Sequence, residues 1–181
     1  MIIARQKRKE NIAEYLLYMW QVEDLIRANK FDMDSINRTV IAHYDQPEEV
    51  KKEIAQWYEE LIEMMRSEGV MEKGHIQLNK NVITLTDLHL RLLKSPKEMV
   101  YSAAYYKTLP YIVQLRAKSG GEDLPELETC FAAVYGYLLL RMQGKEVSAE
   151  TLEGIKQISS FLALLAEKYR EDMKGELKLE D

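Results

Sequence analysis

The apolar residues of this chain recur mainly at helical spacing, most clearly between Asn11 and Ala28. Read as a helix, this segment carries one apolar stripe formed by Ile12, Tyr15, Leu16, Met19, Val22 and Ile26. Three more large residues, Leu17, Trp20 and Leu25, cover much of the opposite side. A helix that is apolar on most sides belongs in the protein interior. We therefore predict a largely buried first helix.

Three charged residues interrupt this helix. Glu23 and Asp24 precede Arg27 by four and three residues, so either carboxylate can pair with Arg27 along the helix surface. Glu23 also lies on the line through Met19 and Ile26, which predicts that it points into the protein. A buried carboxylate needs a partner, because burying an unpaired charge is costly.

Two further helices are predicted next along the chain. Asp32 or Asp34 is predicted to cap a short helix that runs to Tyr44, and Pro47 suits the first turn of the next helix. That helix is amphipathic, with an apolar stripe formed by Val50, Ile54, Trp57, Tyr58, Leu61 and Met65.

The segment from residue 76 to residue 94 fits two structures. The alternations of Ile76 with Leu78 and of Ile83 with Leu85 allow a hairpin that turns at residues 79–81. A single helix also fits, because Leu78, Val82, Leu85, Leu88, Leu92 and Leu93 recur at helical spacing. We favour the helix.

Three helices are predicted in the second half of the chain. Ser95 with Glu98 resembles a capping box, which starts a helix over residues 96–119. Pro110 lies inside that helix, where it removes a backbone donor, so we expect a kink, and a kink can open a pocket beside it. A further helix covers about 124–142, and Ser148 caps the last one.

These elements predict an all-α fold, a compact single-domain bundle of about six to seven helices over residues 1–173. Residues 174–181 are predicted to form a polar C-terminal tail. A chain of 181 residues can bury roughly 70% of its unfolded surface, so neither a metal nor a disulfide is needed for a core.

Charge and cysteine content bear on the partners and the cellular compartment expected for the protein. A net charge of -5 argues against general affinity for nucleic acid, which depends on neutralising phosphates. The single cysteine, Cys130, excludes an intramolecular disulfide and fits a reducing compartment, so we expect a cytoplasmic protein. The longest uncharged run, residues 129–140, is too short to span a membrane, and acidic residues interrupt the basic N-terminus, so we expect no export signal.

The first eleven residues differ in charge from the rest of the chain. Four cations, Arg5, Lys7, Arg8 and Lys9, stand against Glu10 alone. A solvated arm, or one held against the protein's own acidic surface, explains this cluster. Contact with a partner or with nucleic acid is the alternative.

Signatures of catalysis and cofactor binding are not found in the sequence. It has no glycine-rich phosphate loop and no dinucleotide fingerprint, and no histidine pairs with a second ligand at metal spacing. Cys130 lies in an apolar run and is interpreted as a core residue. We therefore predict no cofactor and no metal and favour a protein without enzymatic activity, with a hydrolase or transferase that uses Glu23 and His89 as a third alternative.

Polar residues on largely apolar helices define a candidate ligand site. Its members are Glu23, Asp24, Arg27, His89, Arg91, Tyr105, Tyr106 and Arg116. If they converge, they form a small-molecule pocket. The alternative is structural: Arg27 pairs within its own helix, the tyrosine hydroxyls lie at the surface, and His89 is a core histidine bonded to a tyrosine or a carboxylate.

Two stretches, ARQKRKENIAEYLLYMWQVEDLIRA at the start and TDLHLRLLKSP at residues 86–96, resemble a family of uncharacterised helical proteins of Bacteroidetes-type bacteria, a domain of unknown function. The resemblance extends over most of the chain. It implies a helical, bacterial, cytoplasmic protein and supplies no mechanism.

Two functions follow as hypotheses. The first is a non-enzymatic helical bundle that acts through protein contact, most simply as a homo-oligomer. The second is a binder of a small anionic or aromatic ligand near Pro110, with Arg27, Arg91 or Arg116 supplying the charge.

Overall fold

A computed structural model describes residues 2–76, 78–118 and 124–179 of the chain. It confirms the all-α fold, since every regular element in these ranges is helical. The α-helices are α1 (Ile2–Glu10), α2 (Ile12–Ala28), α3 (Met33–Thr39), α4 (Glu48–Ser67), α5 (Leu78–Lys94), α6 (Met99–Lys118), α7 (Glu126–Met142) and α8 (Ala149–Met173). A 3-10 helix, Ile41–His43, follows α3.

The described chain has one helix more than the seven that the pattern indicates, because the basic segment before Asn11 forms a helix of its own. The Asn11 side chain accepts a hydrogen bond from the Ala13 backbone amide at 3.0 Å. Asparagine is favoured at such caps because its side-chain oxygen satisfies an amide left unpaired at the helix start. The basic segment therefore forms a separate short helix, α1.

Two predicted helix caps are confirmed. Asp32 accepts from the Asp34 amide at the start of α3, and Ser148 accepts from the Thr151 amide at the start of α8. The structure also distinguishes the helix from the hairpin that the sequence allows for residues 76–94. Helix α5 runs from Leu78 to Lys94, and no hairpin forms there. Residue 76 lies in a turn before this helix.

The predicted capping box at Ser95 is wrong, because α6 begins only at Met99. The Ser95 hydroxyl donates to the Leu179 carbonyl at 3.1 Å and accepts weakly from the Lys97 amide. Glu98 binds Lys168 of α8 at 2.9 Å instead of reaching back to a cap. Contacts with distant parts of the chain thus replace the local motif, and they give the polar tail a fixed point at Leu179.

Helix α6 continues without interruption past Pro110 to Lys118. The kink predicted at that position stays a prediction, and residue 119 lies outside the described residues. The neighbouring Thr108 hydroxyl donates to the Ala104 carbonyl at 2.7 Å and accepts from Gln157 of α8 at 3.1 Å.

By their contacts, the residues fall into two compact units. Unit 1 is Met1–Lys9 with Glu14–Leu78, and unit 2 is Glu10–Ala13 with Asn79–Asp181. A single domain over residues 1–173 stays a prediction.

The core of unit 1 joins one face of α2 to α4 and to the short segments around them. Its buried members are Ala4, Met19, Val22, Ile26, Ile36, Ile41, Ile54, Tyr58, Leu61, Ile62, Met65 and Ile76. The predicted stripe of α4 supplies Ile54, Tyr58, Leu61 and Met65 to this core, as its helical spacing indicates.

The core of unit 2 is formed by α5, α6, α7 and α8. Its fully buried large side chains include Tyr101, Phe131 and Phe161. Helices α6 and α8 approach closely at Gly154, where an added Cβ would lie 3.0 Å from the Tyr111 ring. The absence of a side chain at this position lets Tyr111 lie against the start of α8.

Candidate functional site

Glu23 is completely buried on α2, as its position between Met19 and Ile26 predicts. Its Oε2 atom lies 2.7 Å from Nδ1 of His75, which follows α4 by eight residues. The His75 ring stacks on Trp20 with a centroid separation of 3.9 Å and an angle of 4° between the planes. The carboxylate and the indole together fix the orientation of the imidazole.

Arg27 binds the segment that carries His75 to α2. Its guanidinium pairs with Asp24 at 2.7 Å and lies 4.0 Å from Glu23. It also donates to three backbone carbonyls of the same segment, those of Val70, Met71 and Gly74. Such multiple donation suits arginine, whose planar group offers five donors in a fixed geometry.

Burial raises the pKa of the Glu23 carboxyl above its ordinary value. The hydrogen bond and charge of His75, the charge of Arg27 and the Ile76 amide oppose this shift, yet burial exceeds them. The second oxygen, Oε1, has no hydrogen-bond partner in the described part of the chain. The buried carboxyl of Glu23 therefore holds a proton more tightly than an exposed glutamate does, while its Oε2 atom contacts the His75 imidazole.

His89 lies in an aromatic cluster in unit 2. Its Nδ1 atom is 2.7 Å from the Tyr101 hydroxyl, and its ring contacts those of Tyr105 and Phe161. Burial lowers the pKa of His89, partly opposed by the charge of Glu126. The neighbouring Tyr105 hydroxyl donates to Glu126 at 2.7 Å. His89 thus has the surroundings expected of a structural core histidine bonded to a tyrosine.

The three remaining candidates, Arg91, Arg116 and Tyr106, make other contacts within unit 2. Arg91 forms a two-point ion pair with Asp172 of α8 and lies 3.4 Å from Asp87. Arg116 donates to the Leu124 carbonyl and to the Thr129 hydroxyl, and so joins the end of α6 to the start of α7. Tyr106 is 64% exposed on α6, and its ring centroid lies 5.2 Å from that of Tyr105, so it adjoins the His89 cluster.

The eight candidates therefore divide into local groups. Glu23, Asp24 and Arg27 form one group in unit 1, whereas His89 and Tyr105 form another in unit 2. His75, the partner of Glu23, is not among the eight candidates. No local signal marks it, since 52 residues separate the two side chains in the chain.

The basic residues of α1 lie against acidic and aromatic groups of unit 1. Lys7 pairs with Glu14 at 2.8 Å, and the Arg8 guanidinium lies 5.8 Å from the centre of the Tyr15 ring. Arg5 lines a cleft of about 260 Å³ with residues of α4, namely Val50, Glu53, Ile54, Gln56, Trp57 and Glu60. The arm is held against the protein's own acidic surface, one of the two explanations given for its charge.

Helix α6 also presents an outward apolar stripe. Met99, Tyr106 and Val113 expose 74%, 64% and 58% of their surface. The stripe is completed by the exposed residues Ala103, Pro110 and Ala117, and we call these six residues the α6 stripe. Their spacing alternates between four and three residues, which places them along one line of the helix, as in a coiled-coil seam. The sequence shows this spacing, but the polar residues of α6 are scattered around the helix, so its inner and outer sides are hard to separate without a structure.

Neither a metal site nor a membrane-spanning helix is found in the described residues. No group of three or more His, Cys, Asp or Glu side chains there could hold a metal ion. None of the helices combines the length and the apolar character that crossing a bilayer requires. Small-ligand binding near Pro110 stays a prediction.

Comparison with known proteins gives a family but no activity. A family model described as "Domain of unknown function (DUF4924)" matches residues 1–176, so the chain belongs to this family. No curated protein and no solved structure matches the chain. The family assignment agrees with the resemblance noted in the sequence.

Proposed function

We propose that this member of the DUF4924 family acts through protein contact and associates with a second copy of itself, without enzymatic activity. The observation that carries the proposal is the α6 stripe, a line of apolar side chains exposed to solvent. Contiguous exposed apolar surface is costly for a soluble protein and commonly marks an interaction site. A bacterial origin and a cytoplasmic location belong to the same proposal.

The charges around the stripe support this function. No residue of the stripe is charged, although charged residues make up 30% of the chain. The charges of α6 itself are Lys107, Arg116 and Lys118, and none of them interrupts the line of six. Depletion of charge at the centre of a patch is typical of protein interfaces.

A single helix face is a modest interface. The stripe runs from Met99 to Ala117, about 27 Å at 1.5 Å per residue. Stable complexes commonly bury about 800 Å² on each partner, which one helix reaches only with help from its flanks. We therefore expect a reversible dimer that dissociates on dilution.

Size-exclusion chromatography with light scattering tests the proposal. The double variant Tyr106→Glu with Val113→Glu places two charges in the stripe and should be monomeric at concentrations where the unaltered chain is a dimer. Ile83→Glu is the matched control, because Ile83 is also 64% exposed but lies on α5 outside the stripe. An unaltered chain that stays monomeric at millimolar concentration, or a double variant that still forms dimers, would refute the proposal.

A further inference from the structure

The order of side-chain sizes along the α6 stripe favours a second, antiparallel α6 as its partner. The six residues form three couples, each symmetric about the level of Thr108: Met99 with Ala117, Ala103 with Val113, and Tyr106 with Pro110. When a second α6 lies antiparallel across the first, the members of each couple face one another. Every layer then sets a larger side chain opposite a smaller one, the arrangement that fills space between helices without voids.

The charges beside the stripe agree with the same arrangement. Lys107 is exposed on one flank of the stripe, and Gln114 lies on that flank one heptad further along. On the same side, α8 places two acidic residues next to α6. Glu150 accepts from the Gln114 amide, and Glu153 lies 3.4 Å from the Tyr111 hydroxyl.

The antiparallel two-fold brings Lys107 of one copy to the level of residue 109 of the other. This level is about 3 Å along the helix axis from Tyr111, beside which Glu153 lies. Because flanking positions of the same kind face each other across an antiparallel pair, the lysine lies on the side that carries Glu150 and Glu153 of the other copy. Lys107 of the other copy lies on that side as well, so each lysine meets two acidic groups beside one like charge. The two-fold symmetry repeats the contact at the other end of the interface.

We infer that two copies of the chain pair antiparallel through α6, centred on Thr108, with Lys107 of each copy binding Glu150 or Glu153 of the other. This inference rests on the proposed self-association and specifies its partner surface and direction. The apolar layers supply contact area, and the charge pairs fix the orientation of the two copies.

Disulfide trapping tests the direction. Ala103→Cys mixed with Val113→Cys should give a disulfide-linked dimer on mild oxidation, because the two positions face each other across the two-fold. Ala103→Cys alone should give none, since it would link to itself only in a parallel pair. Each copy carries only one introduced cysteine, so a disulfide between the two positions can join only two different copies. The unaltered chain is the control for Cys130, which is buried.

A charge exchange tests the flanking contact. Lys107→Glu, and separately Glu150→Lys with Glu153→Lys, should each weaken the dimer roughly tenfold, as expected from losing two exposed ion pairs of modest strength. Mixing the two variants should restore wild-type affinity, because each interface contact again joins opposite charges. Lys145→Glu, an exposed site after α7, makes the same charge change outside the stripe and should have no effect.

The outcomes separate this inference from the proposed function. A dimer that traps Ala103→Cys alone, or that forms no mixed disulfide and shows no rescue on charge exchange, would overturn the antiparallel arrangement while leaving self-association intact. A chain that is monomeric throughout would refute both. Mixed trapping together with rescue is the result that the inference predicts.

Discussion

Glu23 and His75 lie 2.7 Å apart, Oε2 to Nδ1, and the carboxylate is completely buried. The contact joins the middle of α2 to the segment after α4, which Arg27 holds through three backbone carbonyls. One helix thus fixes a segment that has no regular structure between residues 70 and 75. This cluster accounts for the polar residues inside an otherwise apolar helix.

Removing the Arg27 side chain should destabilise unit 1 strongly. Arg27→Ala leaves the carbonyls of Val70, Met71 and Gly74 without this donor and removes the nearest guanidinium from Glu23. We expect a loss of about 3 kcal/mol in the free energy of unfolding, as for other buried charge pairs that lose one partner. Urea denaturation measures it.

Arg66→Ala is the control for this variant. Arg66 also pairs with a glutamate three residues away, but the Arg66 side chain is 52% exposed. Exposed pairs contribute about 0 to 1 kcal/mol, so this change should be nearly silent. Equal losses for the two arginines would contradict the role assigned to Arg27.

The raised pKa of Glu23 predicts a pH dependence of stability. The folded state holds the Glu23 proton more tightly than the unfolded state, whose pKa is near 4.5. The contribution of Glu23 to stability is therefore fully present below pH 4.5 and is lost as the pH rises through the folded pKa. Glu23→Gln removes this titration, so the stability difference between variant and parent should shift in favour of glutamine as the pH rises.

Urea denaturation of both proteins from pH 4 to pH 8 checks this prediction. Glu63→Gln, at a side chain that is 70% exposed, should show no comparable trend. A difference between the Glu23 variant and its parent that stays constant across this range would contradict the assignment.

The Tyr101 hydroxyl should contribute more to the stability of the fold than the hydroxyl of Tyr106 on the same helix. Tyr101 is fully buried and its hydroxyl bonds His89, so Tyr101→Phe leaves a buried ring nitrogen without that partner. We expect a loss of about 1 to 3 kcal/mol in thermal or chemical unfolding. Tyr106→Phe removes the same atom from a side chain that is 64% exposed in the single chain, so at concentrations where the chain is monomeric it should change stability by less than about 0.5 kcal/mol.

Cys130 should be unreactive in the folded protein. Its side chain is completely buried, and burial raises the pKa of the thiol to about 12. Reaction with a thiol-specific reagent requires the thiolate, so modification at pH 8 should occur only after unfolding in denaturant. Rapid reaction of the native protein would show that the thiol is accessible.

Helical periodicity was sufficient to predict most of the fold. The stripes of α2, α4 and α5 come from spacing alone, and the caps at Asp32 and Ser148 come from local chemistry. The capping box at Ser95 failed because its residues bind Leu179 and Lys168, far away in the chain. Local motifs predict correctly where no tertiary contact competes for the same side chains.

The candidate site was predictable only in part. The burial of Glu23 can be predicted from its place between Met19 and Ile26. Its proximity to Arg27 can be predicted from the four-residue spacing along the helix. The identity of His75 as the partner of Glu23 could not be predicted, because a contact between residues 52 positions apart depends on the path of the chain. The α6 stripe was hidden for another reason: the polar residues of α6 are scattered around the helix and do not mark one side as outward.

Sedimentation equilibrium of the unaltered chain over a wide concentration range tests the central claim most directly. The account predicts a mass that rises from 21.2 kDa for a single chain towards twice that value, with a monomer and dimer in reversible exchange. A mass that stays at that of one chain up to millimolar concentration would contradict self-association through α6.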